Sequence, residues 1–295
     1  MRADSFTPRL RGVDGFRAIA VLAVLVYHNW LYTDAGNSPA ELGYLSRFVL
    51  PHLPVGVTLF FVLSGFLLYR PIVSRVVNGR PLQRLRAYLR NRALRIVPAY
   101  WLILFVTGVV LPATLVRVAP SDLELGRLVE QPTALLTNAT LTQNYFASSM
   151  DTGIGPAWSL AVEIVFYLVL PFLGILAASI AARAVRRPGR TVGVVVPPLL
   201  LIGVGVVAPR VWEATLPLNG AAYAIFVRSF ANHADLFAFG MILAVIMVSI
   251  EDGAVKLPGW WRLPTYAVLA TLVCATVVLV DRGVILTFKG AVPYE

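Results

Sequence analysis

The sequence predicts an all-α fold, a polytopic transmembrane helical bundle whose N-terminus is cytoplasmic. Of the 295 residues, 58% are hydrophobic and only 14% are charged, whereas a soluble domain is typically about 45–50% apolar and about one-quarter charged. Several apolar runs reach the roughly 20 residues that a helix needs to cross a bilayer. These runs lack the alternation of barrel strands, so each is predicted to be a helix.

Seven apolar segments reach the required length, and we treat residues 1–295 as one membrane domain. A further span begins near Val284, so seven or eight spans are expected in this chain. The chain ends at Glu295 without a clear stop, which predicts a C-terminally truncated version of a longer protein. The seven spans lie at roughly 16–34, 54–72, 96–116, 158–181, 191–208, 232–250 and 265–281.

The charge distribution favours a membrane topology over a nucleic-acid partner. The net charge is +10, and 23 of the 25 basic residues are arginine. They cluster between the apolar segments, as the positive-inside rule expects. With the N-terminus inside, 18 basic residues are cytoplasmic and 7 are outside. The arginine- and alanine-rich composition suggests a bacterium, so we expect a multi-pass protein of the plasma (inner) membrane.

Metal and disulfide chemistry find little support in the sequence. Cys274 is the single cysteine and forms no intrachain disulfide. The three histidines, His28, His52 and His233, are far apart in sequence and lack ligand spacing. His233 and Asp235 open the sixth span, but no metal site is expected there.

Three polar residues share one face of the first span. Arg17 and His28 are separated by ten residues, which places them within about 20° of each other and about 16 Å apart along a helix. Asp14 falls within about 40° of the same face. Ionisable groups inside spans are costly and usually functional, and a neutral imidazole can accept a hydroxyl proton near pH 7. The alternatives are a helix–helix hydrogen bond for His28 and a headgroup anchor for Arg17.

The stretch "FFVLSGFLLYR" at 60–70 predicts close helix packing. Ser64 and Gly65 are small residues of the kind that let helices approach each other in lipid. We therefore interpret Ser64 as a packing residue and not as a nucleophile.

Eight arginines occur from Arg70 to Arg95, that is, from the end of the second span to the start of the third. Arg92 and Arg95 are one turn apart at its inner mouth, and arginine binds phosphate oxygens in a bidentate manner. A nucleotide-bearing donor could dock there. The alternative is that these arginines serve only the topology.

A carboxylate lies near the start of the fourth span, in "PAWSLAVEIVFYLVLP" at 156–171. Glu163 and Tyr167 are one turn apart, and Trp158 suits the outer interface. Such a carboxylate needs a partner, which an arginine or His28 could supply. A Glu–His pair would orient the imidazole; a structural ion pair is the alternative. The long segment 117–157 before this span is expected outside, where loops of such length are often functional.

Together these stretches resemble acyltransferase family 3, integral-membrane proteins that O-acylate bacterial polysaccharides, other glycans and antibiotics. The family's first-helix pattern is matched by "DGFRAIAVLAVLVYH", its second by "FFVLSGFL", its basic turn by "RNRALRIVPAY", and its "WSLxVE" element by "WSLAVEIVFY". The four motifs occur in the family's order over about residues 10–171. Ile164 and Val165 depart from the second glutamate and the glutamine of many members. The family usually has about ten helices.

The resemblance implies a role for each matching residue. His28 would be the catalytic base, with Arg17 as its partner and Glu163 as the family's glutamate. The acyl donor, acyl-CoA and most commonly acetyl-CoA, would meet the basic residues Arg92, Arg95 and Arg70. Asp14, Trp158, Ser159 and Tyr167 are assigned to the acceptor.

The resemblance thus implies an enzyme that transfers an acyl group from cytoplasmic acyl-CoA to a hydroxyl of a carbohydrate or other acceptor. No permanently bound cofactor is expected, and the partners are the lipid bilayer, the donor and the acceptor. The acceptor and the oligomeric state are not specified by the sequence. One alternative is a transporter or flippase that uses Asp14, Arg17 and His28 as a polar path, although broken helices in two matching halves are missing. A non-catalytic membrane scaffold is the third.

Overall fold

Helices make up most of the computed structural model, which describes residues 13–31, 49–119, 122–184 and 187–255. The principal helices are α1 (Val13–Leu31), α2 (Val55–Val77), α3 (Leu85–Phe105), α4 (Pro132–Ala139), α5 (Ala157–Ala182), α6 (Arg187–Thr215), α7 (Gly220–Val227) and α8 (Phe230–Glu251). A π-helical turn, Val106–Val110, extends α3. Short 3-10 turns lie at Leu50–His52, Leu128–Glu130 and Gln143–Tyr145, and the strands are β1 (Thr114–Arg117) and β2 (Leu123–Gly126).

Five helical segments of the described chain are long and apolar enough to cross a membrane, which confirms the predicted fold class. They correspond to the second to sixth predicted spans. The helix predicted for the first span is present as α1, although it is not one of these five. The predicted span at 265–281 and the one beginning near Val284 lie outside the described residues. The five are Val55–Val77, Leu85–Val110, Ala157–Ala182, Gly189–Thr215 and Gly220–Glu251.

The third span begins about three turns earlier than predicted. Helix α3 starts at Leu85, and the arginine-rich stretch is therefore helical. The predicted range of 96–116 was wrong at both ends, because the helical segment ends at Val110 and Thr114 already belongs to β1. Arginine is a good helix former, but its charge lowers the hydropathy by which the span was located. Arg92 and Arg95 consequently lie inside a helix rather than ahead of it.

The chain forms two compact units, residues 1–63 and 64–295. In the first, Gly56 lies directly against α1, because a Cβ at this position would come 2.8 Å from the carbonyl oxygen of Ala20. In the second, α6 packs against both α5 and α8. Gly193 allows the close approach to α5, since its Cβ would lie 2.6 Å from the carbonyl oxygen of Ala177. Small residues thus bring the helices together, as is usual in membranes.

The segment between α3 and α5 folds back onto α3. Strands β1 and β2 pair antiparallel, with Thr114 opposite Gly126. The Tyr100 hydroxyl donates to the Asn138 carbonyl oxygen (2.9 Å), and the Trp101 indole donates to that of Ala139 (2.8 Å). These two carbonyls belong to the last turn of α4, beyond which the helical hydrogen-bond pattern ends, and that of Asn138 also accepts from the backbone N–H of Leu141 (3.0 Å). A spanning helix therefore caps the C-terminus of α4.

The same packing sets the depth at which α5 begins. Ala157 and Ala161, in the first turns of α5, share a buried core with Tyr100 and Leu104 of α3. The start of α5 therefore lies about 9–15 Å along α3 from its end at Val110. This arrangement places the first turns of α5 well inside the length of the span formed by α3.

Candidate functional site

A carboxylate on α5 is the centre of a polar cluster within the helices of the second unit. The Ser64 hydroxyl of α2 donates a hydrogen bond to Glu163 Oε1. The Tyr167 hydroxyl, one turn further along α5, also lies beside Glu163. The hydrogen bond from Ser64 thus joins α2 to α5, because the carboxylate of Glu163 can only accept and the hydroxyl donates to it.

Two further polar side chains reach this cluster from α3. The charges of Arg92 and Glu163 both act on the hydroxyls of Tyr88 and Tyr167, so the four groups are neighbours. Tyr88 Oη and Arg92 Nε are buried and have no hydrogen-bond partner among the described residues. Arg92 was predicted from the sequence, but Tyr88 was not. Tyr88 lies one turn before Arg92 on the same helix face. This spacing would have pointed to Tyr88 if the helix had been predicted to start at Leu85.

The glycine after Ser64 explains how α2 comes so close to its neighbours. A Cβ on Gly65 would lie 2.1 Å from the carbonyl oxygen of Phe237 on α8. The packing prediction for Gly65 is confirmed by this contact. Ser64 has a second feature that the prediction did not include, because its hydroxyl is bonded to Glu163.

His28 belongs to the first unit, and its ring orientation is set within α1. Its Nδ1 lies 2.8 Å from the carbonyl oxygen of Val24. A carbonyl can only accept, so Nδ1 carries the hydrogen, and the lone pair of the neutral ring is on Nε2. The Tyr27 ring packs edge-on against the imidazole, with centroids 5.3 Å apart. Asp14 is exposed and Arg17 is half-buried on the same helix. The pairing of His28 with Glu163 stays a prediction.

The other two arginines assigned to the donor differ sharply in their surroundings. Arg95 is exposed. Arg70 is buried and forms an ion pair with Glu251 at the end of α8, with Nη2 2.6 Å from Oε1. This ion pair is one that the sequence reasoning did not identify, and donor binding by Arg70 stays a prediction.

The acceptor residues predicted at the start of α5 lie beside a second polar cluster. The ring of Trp158 contacts that of His233, with centroids 5.6 Å apart. The Asn144 amide nitrogen donates to the carbonyl oxygens of Trp158 (2.8 Å) and Arg228 (3.1 Å). Arg228 in turn pairs with Asp151. Tertiary contacts bring these residues together, so no spacing in the sequence marks them.

Two local details complete the site. The Ser159 hydroxyl donates back to the carbonyl oxygen of Pro156 (2.9 Å), which stabilises the first turn of α5. Within the described part of the chain, no group of three or more His, Cys, Asp or Glu side chains could hold a metal ion.

Comparison with known proteins identifies the family. The family model described as an acyltransferase domain matches residues 10–290. The chain belongs to this acyltransferase family. The predicted resemblance to acyltransferase family 3 is therefore confirmed, and the match extends well beyond the four motifs that suggested it.

Individual relatives agree with the family match. The O-acetyltransferase OatA of Staphylococcus aureus strain NCTC 8325 / PS 47 is 31% identical over 175 residues, which are 57% of this chain and 25% of that protein. OatA of strains COL and MRSA252 gives the same values. The acyltransferase domain thus matches about a quarter of the length of these curated relatives. No solved structure matches it.

Proposed function

We propose that this acyltransferase domain transfers an acyl group, most commonly acetyl, from acyl-CoA to a hydroxyl of a glycan or other acceptor. The relatives of the chain are named O-acetyltransferases, which supports an acetyl group and an oxygen acceptor. The positive-inside distribution of arginines supports a donor on the cytoplasmic side of a bacterial plasma membrane.

His28 is the proposed general base, and the observation that carries this role is the hydrogen bond between Nδ1 and the Val24 carbonyl. Because Nδ1 holds the hydrogen, Nε2 takes the proton from the acceptor hydroxyl. The hydroxyl oxygen attacks the thioester carbonyl carbon, and a new C–O bond forms. The C–S bond then breaks, and the proton held by His28 passes to the thiolate to give free CoA thiol.

The remaining residues have proposed roles in binding. Arg95, which is exposed on α3, contacts the phosphates of the donor. Arg17 is the partner of His28. Glu163 orients the hydroxyls of Ser64 and Tyr167 between the helices of the second unit. Asp14, Trp158, Ser159 and Tyr167 are proposed to bind the acceptor.

A transfer assay tests this function. The full chain, reconstituted in lipid, is given radiolabelled acetyl-CoA and a panel of polysaccharide and small hydroxyl acceptors. His28→Ala should abolish transfer, because it removes the proposed base, while insertion and melting temperature stay unchanged. His52→Ala is the matched control, since it removes an imidazole from a 3-10 turn of the same unit. Undiminished transfer by His28→Ala would refute the assignment of the base.

A further inference from the structure

Two buried polar groups of α3 without hydrogen-bond partners suggest a ligand site that includes a residue outside the family motifs. Tyr88 and Arg92 are one turn apart on the same face of α3. Tyr88 Oη and Arg92 Nε are buried, yet neither has a hydrogen-bond partner among the described residues. Leaving such groups unsatisfied is costly. A bound group with an acceptor oxygen would satisfy both.

The Nε atoms of Arg70 and Arg117 are also buried without a hydrogen bond, but each of the other enclosed arginines of the second unit has a partner elsewhere on its guanidinium. Arg70 pairs with Glu251, Arg228 pairs with Asp151, and Arg117 donates to the Met150 carbonyl (2.7 Å). No hydrogen bond or ion pair engages the guanidinium of Arg92 within the described ranges. A guanidinium in such a setting is unusual unless it meets a ligand.

The charges around Tyr88 indicate what kind of oxygen would fit. Arg92 contributes one positive charge and Glu163 one negative charge beside the same hydroxyl. Glu163 already accepts a hydrogen bond from Ser64. A phosphate placed here would gain the attraction of Arg92 but meet the repulsion of Glu163. A neutral carbonyl oxygen gains both hydrogen bonds without that repulsion.

We propose that Tyr88 and Arg92 form a subsite for a neutral carbonyl group of the acyl donor. The inference rests on the proposed function, which supplies a donor with two kinds of carbonyl, the acyl thioester and the pantetheine amides. The subsite gives the two arginines of the basic motif different roles. Arg92 binds a carbonyl between the helices, and Arg95, which is exposed on the same helix, binds the phosphates.

Binding of three donor fragments to the full chain in nanodiscs tests the subsite. Calorimetry compares acetyl-CoA, CoA without an acyl group, and adenosine 3′,5′-bisphosphate, which retains phosphates but has no carbonyl of the donor arm. Tyr88→Phe should weaken acetyl-CoA by about three- to tenfold, which corresponds to one hydrogen bond to a neutral group. Its affinity for the bisphosphate should stay within about twofold.

Tyr100→Phe is the matched control, because the Tyr100 hydroxyl on the same helix is already bonded to the Asn138 carbonyl. Its loss should lower the melting temperature and leave the three affinities unchanged. Tyr88→Phe should show the reverse pattern, with a melting temperature equal to or above that of the wild type, because it removes an unpaired buried hydroxyl.

The outcomes distinguish the thioester carbonyl from a pantetheine amide, and a failure of the subsite from a failure of the proposed function. Weakening confined to acetyl-CoA identifies the thioester carbonyl, and equal weakening of acetyl-CoA and CoA identifies a pantetheine amide. Weakening of all three ligands, or of none, overturns the subsite, as does a lower melting temperature of Tyr88→Phe. If the wild type binds none of the ligands and transfers no acyl group, the proposed function fails together with the subsite.

Discussion

Replacing Ser64 by alanine distinguishes a packing residue from a hydrogen-bonding one. The substitution removes only the hydroxyl that donates to Glu163 and keeps the small volume that close packing requires. If Ser64 served packing alone, alanine would be neutral or slightly stabilising, because it has the higher helix propensity. The hydrogen bond predicts the opposite sign.

The size of the effect follows from the charge of the acceptor. A hydrogen bond to a charged group contributes about 1.5–3 kcal/mol, and the gain in helix propensity returns about 0.5 kcal/mol. Ser64→Ala should therefore lower the free energy of unfolding by about 1–2.5 kcal/mol. The hydroxyl of Tyr167 remains beside the carboxylate, which is why a larger loss is not expected.

Unfolding in mixed micelles with increasing dodecyl sulfate, followed by tryptophan fluorescence, measures this difference. Ser74→Ala is the matched control, because Ser74 lies on the same helix, partly buried, and its bond with Asn78 uses the backbone carbonyl. A loss in Ser64→Ala no greater than in Ser74→Ala would refute the hydrogen-bonding role. If the role is correct, Ser64→Ala combined with Glu163→Gln should lose less than the sum of the two single changes.

Three further experiments test the packing, the ion pair and the depth of α4. Gly65→Ala should prevent stable folding in a melting assay, since its Cβ would lie 2.1 Å from a backbone oxygen. Gly203→Ala on α6 is the control and should fold stably, because the space around Gly203 is open. A double-mutant cycle of Arg70→Gln and Glu251→Gln should show a coupling of about 1–2 kcal/mol in the free energy of unfolding. This is less than for a fully buried pair, because Glu251 is one-third exposed. An increased donor KM of Arg70→Gln with unchanged stability would favour donor binding by Arg70 instead. The depth of α4 can be tested by cysteine labelling in proteoliposomes, in a background where Cys274 is replaced by serine. Leu136→Cys on α4 should resist an impermeant maleimide while the exposed Ser148→Cys reacts, because a spanning helix caps α4. Equal labelling of the two variants would contradict a position of α4 within the membrane.

The sequence predicts the fold class and most of the spans well, because long apolar runs depend only on local composition. It places the start of α3 poorly, since the arginines before residue 96 interrupt the apolar run without interrupting the helix. Strands β1 and β2 have four residues each, too few for a period-2 pattern to be evident.

The candidate site was predictable one residue at a time but not as an assembly. Glu163 was identified because a carboxylate in an apolar run is costly, and its proximity to Tyr167 follows from the helical repeat. Ser64 lies 99 residues away in sequence, and only the packing of α2 on α5 makes it a partner. Tyr88 was missed because its helix was predicted to begin after it.

The proposed division of labour between Arg92 and Arg95 has a physical basis in their surroundings. An exposed guanidinium keeps its hydration and can exchange water for phosphate at small cost, so Arg95 suits a charged and mobile part of the donor. Arg92 has lost water around Nε and has Glu163 nearby. Glu163 offsets part of the attraction that Arg92 would exert on an anion, whereas the Nε–H of Arg92 still requires an acceptor. Phosphate would therefore be favoured at Arg95 and a carbonyl at Arg92, even though the two arginines are three residues apart in the same motif.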